Sequence, residues 1–320
     1  MRIKGKLVLA TMVAAGALAG LSSTAATAAP AERTAGDAVK PVVHVAPTAP
    51  NTRAAGSGGV GGDFTGDGRP DVLARDAYYG SLHVYQHSGN FSGTATYSTV
   101  HLIDTGWSYM KWIGAADMNG DGLADVVSVD SYGDMRIAVN DASRAPALNP
   151  NVHVNAGWGI NDLVTVVDYN GDDYDDLLAR RAGTTSFYVY YNNGGVNGTA
   201  TFAAPQLALS GLFADVISVA DVTLDGAPDL LFVRQGRLYL YEFGGDVYLL
   251  GTGWNTVDQI SLTDVNGDAR PDVLARKLSN GALQAYTHTG HWNPSGTNES
   301  YVLNPPVVVG TNWFIHNLIT

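Results

Sequence analysis

From Asp117 to Asp125 the chain reads DMNGDGLAD, which sets oxygen-bearing side chains at alternate positions: Asp117 at one, Asn119 at three, Asp121 at five and Asp125 at nine. Leu123 adds a backbone carbonyl at seven, and Gly122 at six permits a sharp turn. Hard oxygen donors at this spacing are what Ca2+ takes up in the first part of an EF-hand loop. No glutamate stands at position twelve, where Ser128 is found, and the following DVVSVD has the composition of a strand. The chemistry implied is cation binding in a hairpin. The alternative is an Asx-rich turn without metal, in which these like charges would repel one another.

Four further copies place this turn in a repeat: DFTGDGRPD from Asp63, DYNGDDYDD from Asp168, DVTLDGAPD from Asp221 and DVNGDARPD from Asp264. The first aspartates are 43 to 54 residues apart, the length of a propeller blade. Segments with period-two alternation surround each copy, such as GWGINDLVTVVD upstream and GRLYLYEFGGD downstream, and predict four short strands per unit. The copies are unequal as cation sites. Thr65 and Thr223 replace asparagine at position three, Leu224 replaces glycine at four, and Asp173 and Ala269 replace glycine at six. The second turn should be the strongest site, the first and third next, and the fourth and fifth weakest, with Ala269 expected to reshape the fifth turn. With three carboxylates in most copies, affinity belongs in the weak extracellular range, about 10⁻⁴ to 10⁻³ M.

The ends show how the units assemble. Trp107, Trp158 and Trp254 each precede an acidic turn by ten residues; Trp313 has the same setting, but the chain stops at Thr320 before another turn. The first turn, conversely, has only GSGGVGG before it, with no room for an aromatic strand. The C-terminal strand must complete the N-terminal blade. The prediction is an all-β β-propeller of five blades, each of four antiparallel strands, closed so that no edge strand is left for aggregation. An open solenoid would not need a strand split from its partners.

Residues 1–28 carry Arg2, Lys4 and Lys6 ahead of an apolar run and a small-residue exit, and are expected to be a secretory signal peptide. Residues 29–58, rich in Ala, Pro, Gly and Thr, read as a flexible linker, with the propeller over 59–320. No later apolar run is long enough to span a membrane, so a secreted, extracellular product with no membrane insertion is expected. The absence of cysteine excludes thiolate catalysis and Cys-ligated zinc. Without the signal's three basic residues, 15 Lys and Arg face 30 Asp and Glu, and positions one, five and nine of the five turns supply half of those acids. Such a surface repels phosphates, so nucleic acid is not an expected partner.

The recurring DxNGDGxxDV followed by LAR resembles the FG-GAP/VCBS repeat family, known from the propeller of integrin α chains and from secreted lectins. The resemblance covers roughly residues 59 to 320. It implies structural Ca2+ held by Asp63, Thr65, Asp67 and Asp71; by Asp117, Asn119, Asp121 and Asp125; by Asp168, Asn170, Asp172 and Asp176; by Asp221, Thr223, Asp225 and Asp229; and by Asp264, Asn266, Asp268 and Asp272. Five blades rather than the family's common seven is a departure.

If the acidic turns share one face, the opposite face carries the turns between second and third strands and the connections between blades. Aromatic rings beside polar groups there would suit sugars. Candidate ligand-binding residues are Tyr78, Tyr79, Trp107, Tyr109, Trp112, Trp158, Trp254, Trp292 and Trp313. The four tryptophans in common phase equally suit packing between blades, whereas Tyr78, Tyr79, Tyr109, Trp112 and Trp292 break the repeat. Histidines lack metal-ligand spacing and no GxSxG occurs. A non-catalytic, lectin-like carbohydrate-binding module is the first expectation. The second is a protein-interaction or targeting subunit of a secreted assembly, and the third an enzyme acting on polysaccharide.

Overall fold

The computed structural model describes residues 27–33, 40–48, 62–292 and 302–320, with only the backbone given for 27–33 and for Leu318. The expected signal peptide lies outside the described residues over 1–26, as does the expected linker over 34–39 and 49–58.

Five antiparallel sheets follow one another around a ring. In order from the axis outward, the first blade pairs His316–Ile319 with Val72–Asp76, Leu82–Gln86 and Thr99–Asp104. The second comprises Met110–Ala116, Asp125–Asp130, Met135–Ala138 and Val152–Asn155. The third comprises Asn161–Val167, Asp176–Arg181, Phe187–Tyr190 and Gln206–Ser210; the fourth, Val216–Ala220, Asp229–Arg234, Arg237–Glu242 and Val247–Thr252; the fifth, Val257–Thr263, Asp272–Lys277, Leu283–Tyr286 and Val307–Gly310. Five blades of four strands, closed by the C-terminal strand, are what the tryptophan phase predicted. His316 lies opposite Asp76, and Leu73 and Thr320 exchange two backbone hydrogen bonds at 2.9 and 3.0 Å.

Because each blade is covered on both faces by its neighbours, its middle strands are buried on both faces. All six residues of Asp125–Asp130 are buried. The apolar core is correspondingly split into five clusters, one per junction. Phe64, Leu73 and Val84 of the first blade meet Ile113 and Val126 of the second, for example, while Val72 and Ala74 meet Leu274 and Leu283 of the fifth. Arginines of the second strands clamp the next blade. The guanidinium of Arg75 donates to the carbonyls of Trp107 and Met110, and that of Arg276 to those of Trp313 and His316.

Two strands lie ahead of residue 59, one within the expected linker and one that runs into it from the last two residues of the expected signal peptide. Thr27–Arg33 pairs with the outer strand of the fourth blade and Val42–Val43 with that of the third. The folded chain therefore begins before Gly59. The short VV run had too little periodicity to read as a strand, and its pairing depends on a sheet edge more than 160 residues away.

The closing strand carries a pH-sensitive group. His316 is buried, its Nε2 lies 2.6 Å from the Tyr85 hydroxyl, and its ring packs on Trp313. Burial first, then the neighbouring His83, pushes its pKa down to about 4 despite the opposing pull of Asp76. In the unfolded chain the imidazole titrates near 6.5, so between about 6.5 and 4 the unfolded state binds the extra proton and stability falls with pH. The melting-temperature advantage of the unaltered protein over His316→Gln should shrink as pH is lowered from 7 to 4, measured by scanning calorimetry. Carboxylates common to both proteins cancel in that difference, and a constant gap would refute the assignment.

Candidate functional site

The five acidic turns lie at one end of the blades, each joining a first strand to a second. Position one acts as the hub of its turn. Asp117 Oδ1 accepts the amides of Gly120 and Asp121 at 2.7 and 3.2 Å, and its Oδ2 accepts that of Gly122 at 2.8 Å. Position nine joins the turn to the sheet: Asp125 Oδ2 accepts from the Met118 amide at 3.0 Å and Oδ1 from the Asn140 amide at 2.7 Å. Asp71, Asp176 and Asp272 repeat this bridge to His87, Asn192 and His288. Position five is outermost, with Asp121 Oδ1 accepting the Leu123 amide and Oδ2 the Asn119 side-chain amide.

The variant copies keep the same backbone. Position six is left-handed at Gly122 (φ 88°), at Asp173 (φ 69°) and at Ala269 (φ 64°), and Leu224 at position four is left-handed as well (φ 62°). Ala269 still donates its amide to Asp264 Oδ2 at 2.8 Å. The fifth turn is therefore not reshaped: three amides held by Asp264 outweigh the cost of an alanine at positive φ, about 1 kcal/mol.

Electrostatically, the turns hold buried carboxylates close together. Burial, reinforced by Asp117 and Asp121 and opposed by the two amides, raises Asp125 to about 8. Burial likewise raises Asp176 and Asp229 to about 8 and Asp71 and Asp272 to about 7. Among the described residues, no three acidic or imidazole side chains converge as a closed metal centre. The donor set nevertheless fits a hard divalent cation: all-oxygen, fixed by main-chain bonds at positions one and nine, and made costly by its own like charge. In the fifth turn Arg270 already reaches Asp268 at 3.0 Å, which competes with a cation there.

The opposite end is apolar. Tyr78 and Tyr79, in the turn after the second strand of blade one, are 82% and 74% exposed and meet edge-on at 4.6 Å. Tyr109 is exposed in the connection to blade two, and Tyr132, 87% exposed, lies in the corresponding turn of that blade. Ile160, Phe213, Leu278, Phe314 and Ile315 are exposed at equivalent places around the same end. These turns are stitched together: Ala77 donates its amide to Ile315, Ser131 to Tyr109, Ala182 to Ile160 and Leu278 to Thr256. Trp107, Trp158, Trp254 and Trp313 return amides to Gly80, Gly133, Gly236 and Gly281. The result is an exposed apolar arc on a hydrogen-bonded platform.

The tryptophans in common phase are buried beneath this arc, at 4% exposure or less. Trp158 packs on Tyr190, Trp254 on Tyr286 and Trp313 on Tyr85, at 4.4 to 5.0 Å between centroids. Their rings seal junctions between blades and present no face to a ligand; shared phase here signals packing. Trp292 is half-buried edge-on against Tyr248, away from the arc. Trp112 is half-buried, lining a groove with Lys111, Asn161 and Asp162 between blades two and three. Tyr132, Ile160, Phe213, Leu278, Phe314 and Ile315 were missed from the sequence. Their signal was an apolar residue in a turn position that needs none, which is legible only once the turns are placed on one face.

The central channel is walled by the first strands of all five blades, which set Ile113, Val164, Val166, Ile217 and Ile260 beside the polar Thr165, Ser218, Gln259 and Ser261. Asp162 lies on its wall and is held by Arg180 at 2.8 Å.

The sequence model of FG-GAP-like repeats matches residues 63–128, 117–179, 168–232 and 221–275. Each match begins at the first aspartate of one acidic turn and runs through the next, into the strand that follows it. Together the four cover all five turns and about two thirds of the chain. No curated protein matches the sequence.

Proposed function

We propose, because this chain belongs to the FG-GAP-like repeat family, that it is a secreted, non-catalytic recognition module that binds a protein partner through the apolar arc, on a scaffold whose acidic turns hold Ca2+. The observation that carries the partner reading is the concentration of exposed apolar side chains, four of them tyrosines, on interlocked turns at one end of the ring. A surface of this kind loses little entropy on binding and offers the aromatic anchors on which protein interfaces depend. Leu278 and Ile315 on one side and Ile160 on the other flank the tyrosines and make the arc too apolar for a sugar, whose hydroxyls need polar partners. Asp162 on the channel wall is clamped by Arg180 at 2.8 Å, which commits its carboxylate to an ion pair rather than to proton transfer.

In the Ca2+ reading, Asp117, Asn119, Asp121, Asp125 and the Leu123 carbonyl hold the ion at the second turn, with the corresponding residues in the other copies. Bound Ca2+ would offset the cost of keeping like charges buried there, stabilising the folded ring.

Carbohydrate recognition remains a second reading, favoured by one feature: Trp112 beside Lys111, Asn161 and Asp162 in the groove between blades two and three. A glycan array in millimolar Ca2+, run with the unaltered protein and with Trp112→Ala, separates the two. The protein-partner reading expects a blank array from folded protein. Binding to a coherent set of sugars, lost in Trp112→Ala, would transfer the function to the groove.

A further inference from the structure

In each acidic turn the residue at position two is buried: Phe64, Met118, Tyr169, Val222 and Val265. Four of their carbonyls accept a hydrogen bond from one structurally equivalent side chain, that of the residue one or two places beyond the third strand of the next blade whose amide bonds to the position-nine aspartate. Asn140 donates to Phe64 at 2.9 Å and Asn192 to Met118 at 2.9 Å. His288 reaches Val222 at 3.0 Å and His87 reaches Val265 at 2.8 Å. Both histidines accept a glycine amide at Nδ1, which leaves the proton on Nε2 for donation. These latches close four of the five junctions between blades.

At the fifth junction, between blades three and four, the latch is missing. Asp229 lies opposite Glu242, so the equivalent residue is Phe243, which has no donor. The Tyr169 carbonyl instead accepts the amide of Thr48 at 3.1 Å, from the segment before the first blade. The same segment satisfies a second group peculiar to this junction. Tyr169 is fully buried and is the only position-two residue with a hydroxyl, which donates to the Val45 carbonyl at 2.7 Å. Thr48 Oγ1 donates to the Asn170 carbonyl at 2.7 Å, and His44 and Val45 donate their amides to Ala208. Phe243 closes the site by packing edge-on against Tyr169.

We propose that residues 41–48 are a strap built into the propeller, which supplies in trans along the chain the junction latch that Phe243 cannot make and thereby holds the third acidic turn in place. The segment's position is then set by the blade, and its removal would loosen positions two and three of that turn, where Tyr169 and Asn170 sit. A latch made by backbone amide rather than side chain explains why a linker-like composition is compatible with a fixed path.

The test uses the full chain. Thr48→Pro deletes the donor amide, whereas Thr48→Val keeps it and removes only the hydroxyl; Phe243→Asn restores a side-chain donor at the latch position. Thr48→Pro is expected to lower the melting temperature by about 3 °C or more and to speed amide exchange across 168–176, with Thr48→Val milder. Phe243→Asn should lower the melting temperature in the unaltered chain, where it removes ring packing, and raise it in the Thr48→Pro background. If it lowers both equally, or if Thr48→Pro changes neither melting nor exchange, the proposal is wrong. Should Thr48→Pro fail to fold, exchange in the unaltered protein decides: protection of the Thr48 amide comparable to that of strand Val72–Asp76 supports the strap, and exchange at the free-chain rate overturns it.

Discussion

Asp125→Ala is expected to lower the melting temperature by about 10 °C in chelator and by more in Ca2+, where a ligand of the ion is lost as well. The carboxylate is fully buried and is the acceptor for two buried amides, those of Met118 and Asn140. Leaving each without a partner costs about 1–3 kcal/mol, and for a domain of this size each kcal/mol is worth about 2–4 °C. Relief of like charge from Asp117 and Asp121 offsets part of that cost when no cation is present. Asp121→Ala provides the contrast. Asp121 is exposed and, among the described residues, accepts the Leu123 amide and the Asn119 side chain. Its loss should leave the melting temperature in chelator nearly unchanged and reduce the rise that Ca2+ produces. Thermal melts of both variants at 0 and 5 mM Ca2+, concentrations chosen from the weak range of about 10⁻³ M and below, separate scaffold from ligand. Equal behaviour of the two variants would show that the turns do not divide the work between position nine and position five.

The second large effect concerns the apolar arc. Tyr78→Ser with Tyr132→Ser is expected to weaken partner binding by about 100-fold or more while moving the melting temperature by less than about 2 °C. Both side chains are more than 80% exposed, so folding gains little from either ring. At an interface, two tyrosine anchors worth about 2 kcal/mol each are more than enough for that loss, even with incomplete additivity. Leu224→Ser, exposed at the acidic end, is the control and should leave binding unchanged. An equal loss from Leu224→Ser would move the recognition surface to the other face.

The repeat was legible because its chemistry is local. Five spaced aspartates, the tryptophans ten residues upstream and a last strand without its turn were sufficient for blade number and closure. What stayed hidden depends on contacts between distant residues. Val42–Val43 has no periodicity of its own and becomes a strand only against Gln206–Ser210. Ala269 looked unfit for a left-handed position because its residue type was read without the three amides that Asp264 collects around it. Trp107, Trp158, Trp254 and Trp313 could be read either as packing or as ligand platforms, and only their burial decides between the two. Tyr78, Tyr79 and Tyr109 were recognisable as departures from the repeat. Tyr132 and Phe314 were not, since their exposure follows from a turn geometry that sequence spacing does not specify.

Site-directed photo-crosslinking in the producing organism's medium tests the recognition face most directly. A photoreactive phenylalanine analogue at position 132, in the arc, is compared with one at position 224, at the acidic end. The account predicts one discrete protein adduct from position 132 that disappears when Tyr78→Ser is added, and none from position 224. An adduct from position 224 alone, or the same adduct from both positions, would contradict it.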